Sequence, residues 1–102
     1  MSARYVLSLE AVDDLFKIWN YLRKEASVAV ADRVENAFRE RFAFLADNPG
    51  AGHSRKDLTD QDVRFLPVYS YLVVYRPGTK PLQIVSVLHG RRDIPQILRS
   101  RG

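Results

Sequence analysis

The sequence has no cysteine among its 102 residues. That removes disulfides, thiolate zinc sites and cysteine nucleophiles, and it fits a reducing cytosol. Glycine is scarce: Gly50, Gly52, Gly78, Gly90 and Gly102 are scattered and form no phosphate-cradling loop. The two histidines, His53 and His89, have no acidic cluster beside them, so no metal site is predicted. The longest apolar stretch, around Tyr71–Tyr75, is far too short to span a bilayer. Ser8 and Glu10 interrupt the first apolar segment before it reaches signal-peptide length. These absences predict a cytoplasmic protein without cofactor, metal or membrane contact.

What is present suffices for one domain with a single core. The charge is uneven along it. Through Gly50, seven basic residues face eight acidic ones, a net of −1. From Ala51 onward nine basic residues, all arginine except Lys56 and Lys80, face Asp57, Asp60, Asp62 and Asp93, a net of +5. Such asymmetry points to an acidic partner, nucleic acid or an acidic protein segment.

Periodicity divides the chain into strands and helices. Arg4–Leu7 reads as a first strand, ended by Ser8 as a helix N-cap. Val12, Leu15, Trp19 and Leu22 then recur at helical spacing, with Phe16 and Ile18 widening the stripe. Ser27 starts a second helix carrying Val30, Val34, Phe38, Phe42 and Leu45, which Asn48-Pro49-Gly50 ends. The short break at Ala26–Ser27 makes the two helices antiparallel neighbours. Residues 51–62 read as a polar surface loop. Val63–Pro67, Tyr69–Arg76 and Leu82–His89 read as three antiparallel strands, with the first strand added at one side. The predicted class is α+β: an N-terminal strand, a helical hairpin on a small twisted sheet, and a short C-terminal helix over Ile94–Leu98.

The middle strand is apolar on both faces: Tyr71, Val73 and Tyr75 point one way, Leu72 and Val74 the other. A helical hairpin covers only one face. The other needs Ile94–Leu98 folding back over it, or a partner. Trp19, Tyr21, Tyr69, Tyr71 and Tyr75 could stack on bases, but their periodic spacing assigns most of them to the core.

The last strand ends in His89-Gly90-Arg91-Arg92-Asp93, where Gly90 permits a positive φ. Arginines grip phosphates and carboxylates in bidentate fashion. Asp93 is expected to pair with one arginine and to cap the last helix. His89 could serve as general acid or base. Ser86, three residues earlier on the same strand, points to the opposite face, so no Ser–His pair is built.

The segments YVLSLEAVDDLFKIWNYL, ADRVENAFRERFAFLADNPGAGHSRKDL, VRFLPVYSYLVVYR and IVSVLHGRRDIPQIL, in this order and spacing, resemble the RelE/ParE superfamily of bacterial toxin–antitoxin toxins, most closely its ParE branch. The resemblance implies the same α+β fold and a cognate antitoxin of the ribbon-helix-helix, ParD-like type that forms a hetero-oligomer with the toxin. It also implies DNA gyrase as the target, inhibited without catalysis. The sibling RelE branch cleaves mRNA on the ribosome. Arg64 and Arg92 match that branch, whereas Leu72 and Leu98 stand where it carries an arginine and a tyrosine.

The expected target-binding set is Arg64, Arg76, His89, Arg91, Arg92, Arg99 and Arg101. The expected antitoxin-binding set is Trp19, Leu22, Tyr71, Val73 and Tyr75. In the non-catalytic reading no residue is catalytic; in the alternative, ribosome-dependent mRNA cleavage, Arg64, His89 and Arg92 carry it. A third reading is a toxin fold kept as an antitoxin-bound co-repressor.

Overall fold

The computed structural model of the chain describes residues 4–101. Seven elements follow one another: β1 (Tyr5–Leu7), α1 (Leu9–Glu25), α2 (Val28–Asp47), β2 (Arg64–Val68), β3 (Tyr71–Arg76), β4 (Leu82–His89) and α3 (Ile94–Arg101). They form one sheet of order β1-β4-β3-β2, with β1 parallel to β4 and the other pairs antiparallel. No helix among the described residues is long and apolar enough to cross a membrane.

Both helix starts are set by serines. Ser8 accepts a hydrogen bond from the Ala11 N–H at 3.0 Å, and its hydroxyl donates to the Val85 carbonyl at 2.6 Å. One side chain thus caps α1 and pins it to β4. Ser27 accepts from the Val30 N–H at 3.1 Å and opens α2 directly after the α1 cap at Ala26. The two helices therefore turn back on each other and lie over one face of the sheet.

That face holds the larger core. Phe38, Phe42 and Leu45 come from α2, Ala11 and Leu15 from α1, and they pack on Val73, Tyr75, Ile84 and Val87. The inward stripe of α1 is turned relative to the expected one. Ala11, Asp14 and Leu15 are buried, whereas Val12 and Phe16 stand 50% and 66% exposed. The pattern misled because Asp14, a charged residue, occupies a core position.

The opposite face is covered by α3, which folds back as one of the two expected alternatives. Ile94 and Leu98 pack on Val63, Phe65, Val74 and Leu88. The helix runs three residues past Leu98, and this extension matters. Arg101 reaches around the margin of β4 and meets Asp14 of α1 through two bonds, at 2.7 and 2.9 Å. Asp14 also accepts the Val87 N–H at 2.9 Å, a strand donor that β1 is too short to pair, since it pairs β4 only through Ile84. Ser86 accepts from Arg101 at 3.0 Å. Four polar groups at the sheet margin thereby satisfy one another.

Two turns differ from expectation. No glycine among the described residues has a positive φ, Gly90 included; Tyr69 does, at 55°. Tyr69 and Ser70 therefore form the turn, and β3 starts at Tyr71. The Gly90 N–H donates to the Ser70 carbonyl at 2.9 Å, which joins this turn to the end of β4. Gly52 is required for a different reason. A Cβ there would lie 2.6 Å from the Tyr75 hydroxyl, to which the Gly52 N–H donates at 2.8 Å.

Candidate functional site

The strand registers decide which basic residues share a surface. His89 pairs with Tyr71, at the start of β3, whereas Arg76 pairs with Gln83 and Arg64 with Tyr75, at its end. At about 3.3 Å per strand residue, Arg76 is roughly 17 Å and Arg64 roughly 13 Å along the sheet from the His89 row. The seven expected target residues are therefore not one cluster. Arg64 also donates to the Gly52 carbonyl at 2.9 Å, so part of its guanidinium serves the fold. Arg101 is withdrawn too, held by Asp14 with its pKa raised above the ordinary arginine value by those hydrogen bonds. Arg91 and Arg92 remain exposed at the β4–α3 corner, and Arg99 is exposed in the last turn of α3.

At that corner the His89 ring stands edge-on to Tyr71, with centroids 5.3 Å apart. Its Nδ1 accepts the Arg91 N–H at 3.1 Å. Among the described residues His89 has no hydrogen bond to a second titratable side chain. Asp93 caps α3 as expected, through a long 3.4 Å bond from the Gln96 N–H, but makes no ion pair among the described residues. Arg64, His89 and Arg92 are not brought together as a reactive trio.

His89 and Arg92 instead border a groove of about 470 Å³ between α1 and the upper sheet. Asp14, Lys17, Ile18, Tyr21 and Leu22 form its helical wall, and Tyr69, Ser70, Tyr71 and Val87 its sheet wall. Tyr21 and Tyr69 belong to the aromatic set of which most was expected in the core, yet they are 61% and 65% exposed. Tyr69 also holds the left-handed backbone, which costs a bulky residue about 1–3 kcal/mol. Burial pushes the Tyr71 hydroxyl pKa up, and the neighbouring Tyr21 adds to the shift.

A second surface lies on the outer side of the hairpin. Leu9, Val12 and Phe16 project at 85%, 50% and 66% exposure, spaced three and four residues apart on one stripe of α1. Trp19 lies beside them, bonded through its indole N–H to Asp32 at 2.9 Å, with Arg23 over its ring. Of the expected antitoxin contacts, Trp19 belongs to this outer side, while Leu22 and Tyr71 line the groove. Val73 and Tyr75 are fully buried beneath the hairpin and offer no surface in this conformation.

Comparison with known proteins now separates this arrangement from other α+β domains. Residues 5–94 match the family model for the ParE toxin of the type II toxin–antitoxin system parDE. The chain belongs to the ParE toxin family. A solved structure described as the chromosomal ParDE toxin–antitoxin system from P. aeruginosa is similar in fold, with a TM-score of 0.71. At 20% identity, the match covers 83% of this chain and 92% of that one. No curated protein matches the sequence.

In this ParE toxin, sequence reasoning missed Asp14 and Lys17, and it named Tyr21 and Tyr69 only within an aromatic set assigned mostly to the core. A signal existed for three of them. Asp14, Lys17 and Tyr21 recur at helical spacing on one side of α1, polar where the neighbouring stripe is apolar.

Proposed function

We propose that this ParE toxin is a cytoplasmic, non-catalytic inhibitor of DNA gyrase that a ParD-like ribbon-helix-helix antitoxin neutralises. The observation that carries the reading is the corner itself. Arg91 and Arg92 stand exposed beside a histidine whose Nδ1 is already engaged by a backbone N–H, and Arg99 is exposed farther on, in the last turn of α3. A rim of this kind suits docking to an acidic surface more than proton transfer, which needs a positioned acid–base pair. The antitoxin reading is supported by the outer stripe of Leu9, Val12 and Phe16, an apolar strip that fits the face of an amphipathic helix. Acidic residues flanking such a helix complement the net +5 half of the chain.

The test is gyrase supercoiling with purified toxin. Wild type is expected to inhibit it, and the double variant Arg91→Glu, Arg92→Glu to require at least about tenfold more protein, with unchanged circular dichroism. Intact supercoiling at excess wild-type toxin would defeat the reading.

Cleavage of ribosome-bound mRNA remains a second reading, favoured by one observation: His89 and Arg92 border the same groove. It predicts transcript cleavage in a translating extract, abolished in His89→Ala.

A further inference from the structure

The groove between α1 and the upper sheet has features that the gyrase reading does not use. Two tyrosines, Tyr21 and Tyr69, line it and leave most of their surface in water. Exposure of one aromatic ring is ordinary; two lining the same concave site are not. Tyr69 adds a second oddity, because a glycine or asparagine would hold its φ of 55° with less strain. The chain instead places a large ring there and leaves it open.

The charges around these rings have one sign. Lys17 and Arg92 border the groove. Its carboxylate, Asp14, is 4% exposed and neutralised by the two-pronged contact with Arg101. Lys17 does touch Asp13 at 2.9 Å, but both side chains are more than half exposed, and such pairs hold weakly. The site therefore presents net positive charge beside aromatic faces. Its volume, about 470 Å³, lies within the range of roughly 300–1,000 Å³ usual for small-ligand sites.

We propose that this groove binds a nucleotide, with an unpaired base against Tyr21 and Tyr69 and its phosphate held by Lys17 and Arg92. Aromatic faces beside a cationic path are how proteins hold single-stranded nucleic acid, and every base offers a π-face to such a platform. A guanidinium and an ammonium lining one groove suit a phosphate. An apolar peptide would leave both cations unpaired. A duplex keeps its bases stacked and away from the tyrosines. The inference does not rest on the gyrase reading: Arg92 serves both surfaces, but Tyr21, Tyr69 and Lys17 lie outside the gyrase-docking set.

The experiment is fluorescence anisotropy of isolated toxin with a labelled ten-nucleotide single strand, with unlabelled AMP and the matching duplex as competitors. The strand is expected to bind saturably, more weakly as salt rises, with the duplex a poor competitor. Tyr69→Gly, which removes the ring while suiting the backbone, and Tyr21→Ala are each expected to weaken binding about fivefold or more, whereas Tyr69→Phe retains it. AMP competing at concentrations similar to the strand identifies a free nucleotide as the ligand; AMP failing where the strand succeeds identifies the strand. Gyrase inhibition by Tyr69→Gly should match wild type, so loss of nucleotide binding and loss of the gyrase reading remain distinguishable. The proposal is overturned if neither strand nor AMP binds at millimolar concentration, if the duplex binds as well as the strand, or if Tyr69→Gly and Tyr21→Ala bind like wild type.

Discussion

The two faces of the sheet are closed by unequal means. The hairpin face seals eleven buried residues beneath two helices of 17 and 20 residues, with Phe38 and Phe42 stacked 6.3 Å apart and Tyr5 edge-on to Phe42. The other face seals six beneath an eight-residue helix that contributes only Ile94 and Leu98 to them. Apolar burial alone makes the first cover self-sufficient and the second marginal. The difference is made up at the margin of β4. Arg101 crosses from the weaker cover to Asp14 on the stronger one, so α3 is held by a polar bond as well as by its two apolar anchors.

Three substitutions separate these modes of closure. Phe42→Ala removes a fully buried ring from the hairpin face and is expected to cost about 3–5 kcal/mol, read as loss of the whole cooperative unfolding transition at moderate denaturant. Arg101→Ala leaves the Asp14 carboxylate buried with only the Val87 N–H. The expected cost is roughly 2–3 kcal/mol, below the usual figure for a buried pair because Arg101 is partly exposed. Hydrogen exchange should then quicken in α3 and at Val87 while the centre of α2 stays protected. Uniform acceleration would mean that the two covers open as one unit and would collapse the contrast.

The smallest effect concerns Tyr75, which lies in the hairpin-face core but sends its hydroxyl to the loop. It accepts from Gly52 and donates to the Pro49 carbonyl at 2.7 Å. Tyr75→Phe is expected to cost roughly 1–2 kcal/mol by leaving both groups unpaired. Burial raises the hydroxyl pKa above its ordinary value of about 10, against smaller lowering influences from Gly52 and Arg64. The folded state then binds this proton more tightly than the unfolded chain. Its stabilising share is complete below about pH 10 and is lost as pH rises through the folded value. Thermal melts from pH 8 upward should fall less steeply for Tyr75→Phe than for wild type.

Much of this architecture was legible because it is local. Ser8 and Ser27 announce their helices by position, Asn48-Pro49-Gly50 stops the second, and alternation marks the strands to within two residues at each end. What escaped depends on distant neighbours. Asp14 reads as a solvent residue until Arg101, 87 positions away, supplies its counter-charge. Arg64 and Arg76 look like companions of Arg92 until the register sets them at the far end of β3. The positive φ was assigned to Gly90 by residue type, whereas the turn places it on Tyr69, a residue whose composition gives no hint of it. The corner arginines were visible; the aromatic groove beside them was not, since spacing assigned most of the aromatic set to the core without saying which members stay outside it.

The bond between Asp14 and Arg101 also sets an order of events at birth. A ribosome releases residues at roughly 5–20 per second, so α1 and α2 spend several seconds outside it before position 101 exists to reach back. Until then Asp14 has no counter-charge, and the nascent toxin cannot fasten the cover over its second core.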